Sequence, residues 1–368
     1  MKRTLGLLGT LSVIAMSAPA IAQTKLTYGS YLPSTHVNNV VGIEPFSKRI
    51  EKDTGGKVKI EMLSGGAVAK ATASIDSVRD GVVNASMVVD SYVQKQVPAA
   101  FTATDLGVIG RNSIALSGAT NEYNMVACAE CVAEQKKLGI ISMAFYSTAP
   151  YTMMCKPDLR SMADIKGKKI RSASSFSIMF KEFGMVPVNI TSEETYEAMQ
   201  RGQVDCSIGA AGWLKSYSLW DVAKNVLDTS IGAYTGGLLW AMSAESWGKL
   251  KPDEKAAFKK NLPLLAADVT FGYIAETDEV RKLAADKGVK FNKPDKSFTD
   301  AYEAYGVKEI ARAKDASTKR GLPDGPKLID LYLALVKKWE KLDAEEIKGD
   351  KQKFIAALQR EVYSKVKW

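Results

Sequence analysis

Gly167-Lys168-Lys169-Ile170-Arg171-Ser172-Ala173-Ser174-Ser175-Phe176-Ser177 opens the stretch that decides the fold. Lys168-Lys169-Ile170-Arg171 predicts a strand, residues 177–183 a helix, and Pro187-Val188-Asn189-Ile190 a second strand. Thr191-Ser192-Glu193-Glu194 has the spacing of a capping box, with Thr191 bonding forward and Glu194 reaching back. Tyr196 and Met199 then share one helix face until Gly202 ends it, and Val204-Asp205-Cys206-Ser207-Ile208 predicts a third strand. Strands alternating with helices in this way imply a parallel sheet flanked by helices.

The same grammar occurs nearer the start. Lys25-Leu26-Thr27-Tyr28-Gly29 predicts a strand, and Val40, Val41, Ile43, Phe46 and Ile50 fall at helical spacing before Gly55-Gly56. Lys57-Val58-Lys59-Ile60-Glu61-Met62 alternates as a half-buried strand, residues 73–80 predict a helix stopped by Gly81, and residues 85–89 an apolar strand. The blocks match in plan and not in sequence, which indicates two similar lobes. Residues 140–144 and 151–155 predict strands carrying the chain from one lobe to the other, and residues 238–242 its return. A helical pattern over 264–287 is long enough to brace both lobes. Helices are also predicted over 298–314, 326–342 and 351–366.

A chain of 368 residues with 46% hydrophobic and 25% charged residues has room for two buried cores and excludes a disordered tail or a disulfide-dense miniprotein. Residues 1–22 have the pattern of a secretory signal: Lys2 and Arg3, an apolar run over 5–16, then Ala20-Ile21-Ala22 before Gln23. That run is too short to span a hydrocarbon core of about 30 Å, so export with cleavage after Ala22 and no direct membrane insertion are expected. The net charge of +9 is spread among acids along solvated helix faces, so it biases the protein toward small anions rather than nucleic acid.

The single histidine, His36, rules out sites needing two or more imidazoles. No Walker loop, no strand-linked GxGxxG and no G-x-S-x-G is present, so nothing supports an enzyme, a metal or a cofactor. Cys128-Ala129-Glu130-Cys131 raises the alternative of a thiol–disulfide protein or another periplasmic enzyme. Its place late in an expected helix over 123–138 favours a local structural disulfide, because a redox CxxC usually opens a helix. Cys155 and Cys206 would then remain to pair. Arg171 ends a strand and precedes a helix start, the location where open parallel sheets bind ligands. Its guanidinium there could clamp a carboxylate with help from helix-opening amides, or simply continue a basic surface run.

Residues 164–171, Asp-Ile-Lys-Gly-Lys-Lys-Ile-Arg, and residues 198–205, Ala-Met-Gln-Arg-Gly-Gln-Val-Asp, supported by Thr54-Gly55-Gly56-Lys57-Val58-Lys59-Ile60 and Arg79-Asp80-Gly81, resemble a known family. Over essentially all of 25–368 the chain is similar to the extracytoplasmic solute-binding proteins of tripartite ATP-independent periplasmic (TRAP) transporters, of the dicarboxylate-binding-protein-like kind. The resemblance implies an α/β, two-lobe periplasmic binding protein fold (type II-like) with a long helix spanning both lobes. It implies lobe I at 23–148 plus 236–276 and lobe II at 149–235 plus 277–368, with the last helices packing across both. It further implies a periplasmic protein that captures a small organic anion in the cleft and delivers it to TRAP permease subunits.

Arg171 takes the family's carboxylate-clamping position, and Tyr31 and Asp90 occupy positions that commonly line the cleft. Where sialic-acid binders place a second arginine, this chain has Pro150-Tyr151-Thr152. Where many members have Gly-Gln-Glu-Asn-Pro, it has Cys206-Ser207-Ile208-Gly209-Ala210. Trp213 and Trp240 fall near the expected cleft, as does His36. One carboxylate clamp with fewer polar partners points to a monocarboxylate with an apolar or aromatic body. In such lobes the crossover strand lies beside the third strand, which implies Cys155–Cys206 and Cys128–Cys131 disulfides.

Overall fold

The computed structural model describes residues 23–368; the signal segment assigned to 1–22 lies outside the described residues. The strands are β1 (Thr24–Gly29), β2 (Val58–Leu63), β3 (Ala85–Val89), β4 (Ile140–Ser142), β5 (Phe145–Tyr146) and β6 (Tyr151–Cys155). They continue as β7 (Lys169–Arg171), β8 (Val186–Val188), β9 (Cys206–Ala210), β10 (Asn225–Leu227), β11 (Gly237–Ser243) and β12 (Lys290–Asn292). One sheet has the order β2-β1-β3-β11-β4, with β5 beside β11; the other runs β12-β10-β6-β9-β7-β8.

Both sheets follow one rule. In the first, β2, β1 and β3 are parallel, and β11 arrives antiparallel between β3 and β4. In the second, β8, β7 and β9 are parallel, and β6 arrives antiparallel between β9 and β10. Each lobe is thus closed by a strand from the chain's crossing between them, as the predicted strands at 151–155 and 238–242 require. Each parallel strand ends at the same edge of its sheet, which faces the space between the lobes.

The bracing helix is longer than expected. It spans Pro252–Leu283, 32 residues, or about 48 Å at 1.5 Å per residue. Pro263 does not end it, although the missing N–H leaves one intrahelical bond unmade. Its first half meets the first lobe, with Asn261 on Asp53 at 2.8 Å and Asp268 on Arg49 at 2.8 Å. Its second half meets the other lobe, with Glu279 on Lys215 at 2.7 Å and Arg281 on Asp228 at 2.6 Å. Such half-exposed ion pairs stabilise little; packing sets the register. A Cβ at Gly42 would sit 2.5 Å from Val269, and one at Gly272 would sit 2.5 Å from Val41, so each glycine receives the other segment's valine.

The helices Lys296–Lys319 and Gly325–Leu342 follow. The latter packs on the fully buried helix Ser113–Glu122, where Trp339 Nε1 donates to Glu122 at 2.8 Å. Arg312 and Arg320 both reach the buried carboxylate of Asp105, at 3.1 and 2.8 Å.

Two local expectations need correction. The helix expected over 123–138 is two helices: a π-helical turn at Tyr123–Ala127 ends one, and Cys128, with extended backbone, caps the next at Ala129–Lys137. Apolar spacing runs through the break, so periodicity conceals it. The helix after residue 190 begins only at Thr195. Glu194 does reach back to the Thr191 N–H at 2.8 Å, but Thr191 gives its hydroxyl to the same carboxylate instead of capping forward.

Candidate functional site

Arg171 is the last residue of β7, and its side chain is 4% exposed. Nε donates to the Ile190 carbonyl at 3.1 Å, Nη1 to that of Ile208 at 3.5 Å, and Nη2 to the Tyr92 hydroxyl at 2.7 Å. The Trp213 ring lies 5.5 Å from the guanidinium carbon. All these partners are neutral, and among the described residues no carboxylate forms an ion pair with it. Glu193 and Glu194 feel its field without touching it. A guanidinium has five N–H donors, so one remains free on each terminal nitrogen. Two parallel donors of that kind fit a carboxylate.

Arg171 lines a cavity between the lobes. Seven of the 14 tyrosines line it. Residues 23–148 contribute Tyr31, Tyr92 and Tyr146; residues 149–235 contribute Tyr151, Tyr217 and Tyr234; the bracing helix contributes Tyr273. The rings touch one another, Tyr151 on Phe176 at 5.3 Å and on Trp213 at 5.6 Å, and Tyr146 stacked on Tyr273 at 5.6 Å. Burial raises the phenols of Tyr31, Tyr217, Tyr234 and Tyr273 well above their ordinary range, and that of Tyr146 to about 12, so the wall is neutral. The Tyr92 oxygen also accepts the Ser192 N–H at 2.9 Å, which joins the two lobes at the rim. Ala173 and Ser174, the latter at φ 54°, open the helix Ser174–Glu182 onto the same space without a side-chain cap.

Tyr31, His36, Tyr151, Arg171 and Trp213 are brought together on this cavity. Three expected residues are not. Asp90 lies behind the wall, where it accepts from Tyr234 at 2.9 Å and Thr104 at 2.7 Å; its role there is to hold two residues that do line the cavity. Trp240 is fully buried in the first lobe, stacked on Tyr28 at 4.8 Å and against Phe46 at 4.9 Å. Gly209 is covered by Trp213, whose ring would lie 2.2 Å from an added Cβ. Inward residues alternate along a strand, so Ile208 is the one that reaches the space.

The sequence reading missed Tyr92, Tyr146, Tyr217, Tyr234 and Tyr273. The available signals were slight: Tyr92 follows Asp90 by two, and Tyr217 follows Trp213 by one helical turn. Both disulfides are present, Cys128–Cys131 and Cys155–Cys206. Contrary to expectation, the CxxC does open a helix, the position that suits a reactive thiol. Both of its sulfurs are nonetheless fully buried and bonded, which leaves the thiol-chemistry alternative without an accessible group.

Two lobes of one topology, sharing crossing strands and closing on a common cavity, define a two-lobe solute-binding protein. Residues 29–311 match the bacterial extracellular solute-binding protein family 7, DctP, and the chain belongs to that family of TRAP solute-binding proteins. It is 25% identical over 301 residues to a solute-binding protein of Albidiferax ferrireducens, covering 81% of this chain and 77% of the relative. Among solved structures it resembles a TRAP solute-binding protein from an unidentified marine microbe, described as specific for aromatic acid ligands and holding metahydroxyphenylacetate. The TM-score is 0.77 at 23% identity, over 86% of this chain and 99% of that one. A TRAP solute-binding protein from Rhodoferax ferrireducens T118, with copurified benzoate, gives a TM-score of 0.77 at 18% identity, over 87% and 99%. At these identities the likeness speaks for the fold. TRAP solute-binding proteins bind small organic anions and work with a membrane permease. No helix among the described residues is long and apolar enough to cross a membrane.

Proposed function

We propose that the chain, exported and cleaved after Ala22, captures a monocarboxylate with an aromatic or apolar body and delivers it to a TRAP permease. The observation that carries this reading is Arg171: a buried guanidinium with, among the described residues, two free N–H donors, no protein carboxylate, and a wall of neutral rings before it. Burying an unpaired charge costs several kcal/mol, and a ligand carboxylate offsets that cost. A second carboxylate would meet no second cation among the lining residues. Tyr31, Tyr151 and Trp213 would flank the ligand body from both lobes. A ligand touching both lobes favours the closed state over the open one. We take the lobes as 23–148 with 236–276, and 149–235 with 277–368. The protein holds its ligand without transforming it.

Titration calorimetry with phenylacetate, benzoate and succinate tests this. The wild-type protein should bind an aryl monocarboxylate at least about 100-fold tighter than succinate, and Arg171→Ala should bind neither measurably. Unchanged affinity in Arg171→Ala removes the clamp; a preference for succinate removes the monocarboxylate assignment.

A further inference from the structure

Two buried donors on the cavity wall have no partner among the described residues: the Trp213 indole nitrogen and His36 Nε2. Trp213 lies against the guanidinium and belongs with the carboxylate end. His36 does not. From Arg171 the ring contacts run to Trp213, then to Tyr217 at 5.2 Å, then to His36 at 5.0 Å, so two rings stand between the imidazole and the clamp. Tyr273, 6.0 Å away on another side, helps to fix its plane.

The tautomer is set by the backbone. His36 Nδ1 accepts the Asn38 N–H at 3.2 Å, so in the neutral ring the proton sits on Nε2. Burial keeps the ring neutral by pushing its pKa down to about 3. The side chain is 1% exposed, so water does not serve Nε2–H from bulk. Leaving a buried donor unmatched costs roughly 1–3 kcal/mol, and a neutral histidine serving only the core would place its Nε2–H on a protein acceptor.

We infer that the ligand is an aromatic monocarboxylate bearing a second oxygen, hydroxyl or carbonyl, at the end remote from the carboxylate, and that His36 Nε2–H is the donor that selects it. This rests on the carboxylate-clamp reading above. A neutral donor suits an uncharged oxygen; a second carboxylate there would be a buried charge without a counter-ion.

Phenylacetate and its 2-, 3- and 4-hydroxy isomers are the probes, titrated into the wild-type protein, His36→Phe, His36→Gln and Arg171→Ala. At least one hydroxy isomer should bind the wild-type protein about tenfold or more tighter than phenylacetate. That advantage over phenylacetate should vanish in His36→Phe and return in part in His36→Gln, whose amide can donate. Nitrogen-15 NMR reads the same point without mutation, because the chain has one histidine. The free protein should show the Nε2–H tautomer, and the favoured hydroxy isomer should shift that proton while phenylacetate does not. An Nδ1–H tautomer, no isomer preferred, or a preference that survives in His36→Phe overturns the inference. If phenylacetate and its isomers bind equally and all need Arg171, only this inference falls. If none binds the wild-type protein, the clamp reading falls with it.

Discussion

At the end of β7 the second lobe places Arg171, while the equivalent strand of the first lobe, β1, ends in Gly29 and leads into Ser30-Tyr31, with no charge. Ser30 gives its hydroxyl to Asn39 inside the lobe, and Tyr31 lines the cavity as a neutral ring. The two strands occupy the same place in the same sheet order. One fold, used twice, therefore supplies the charge from one side and shape with neutral donors from the other. Under the proposed function, a ligand's carboxylate would engage the charged lobe and its body would reward closure of the other. Cross-linking follows the same contrast. Cys155–Cys206 ties the crossover strand β6 to β9 in the charged lobe across 51 residues, whereas Cys128–Cys131 closes a separation of 3.

The largest effect expected from breaking this contrast is on stability. In a chain-entropy account, replacing Cys155 and Cys206 by alanine should cost about 4 kcal/mol, and replacing Cys128 and Cys131 about 1.6 kcal/mol. Denaturant unfolding under non-reducing conditions measures both, and equal costs would show that loop closure is not what distinguishes them.

Asp90 comes next. Burial pushes its carboxyl from an ordinary 3.8 up to about 7, against the lowering by Thr104 and Tyr234. A folded-state value above the unfolded one means the native protein holds this proton more tightly. Its contribution is therefore complete below about pH 4 and is lost as pH rises toward about 7. At about 1.4 kcal/mol per unit this is a few kcal/mol. Melting temperature should fall between pH 5 and 8 by more in the wild-type protein than in Asp90→Asn, and parallel profiles would refute that assignment.

Arg171→Lys keeps the charge and loses the planar fork. Aryl carboxylate affinity should drop roughly 10–100-fold, between wild type and Arg171→Ala; a lysine variant equal to wild type would mean that charge alone suffices. The smallest effect belongs to Tyr92→Phe, which removes the oxygen that joins Arg171 and Ser192 across the lobes. About 1 kcal/mol is expected. Small-angle scattering should find the ligand-free variant more open than the wild-type protein, and identical profiles would deny Tyr92 a part in closure.

The place of Arg171 was legible in the sequence because a strand, a terminal charge and a helix start are adjacent in the chain, whereas the choice between a carboxylate clamp and a basic surface run rested on the family resemblance. Trp213 and Trp240 were not separable by the same means. One covers Gly209 beside the guanidinium and the other fills the first lobe between Tyr28 and Phe46, and only the path of the sheets decides which. Asp90 follows an inward-facing strand, yet its carboxylate turns behind the wall to Tyr234, a residue 144 positions away. The helix break at Cys128 escaped notice because apolar spacing does not change across it.

The sequence by itself determined the two-lobe plan, the crossing strands and the strand-terminal place of Arg171, because these depend on local periodicity and on neighbours in the chain; the Cys155–Cys206 pairing was implied only by the family resemblance. The tertiary structure alone decided the makeup of the cavity wall and, among the described residues, the unpaired imidazole and the absence of a carboxylate at Arg171. Those properties belong to side chains gathered from distant segments, and the energy of a buried donor or charge is set by what surrounds it in space.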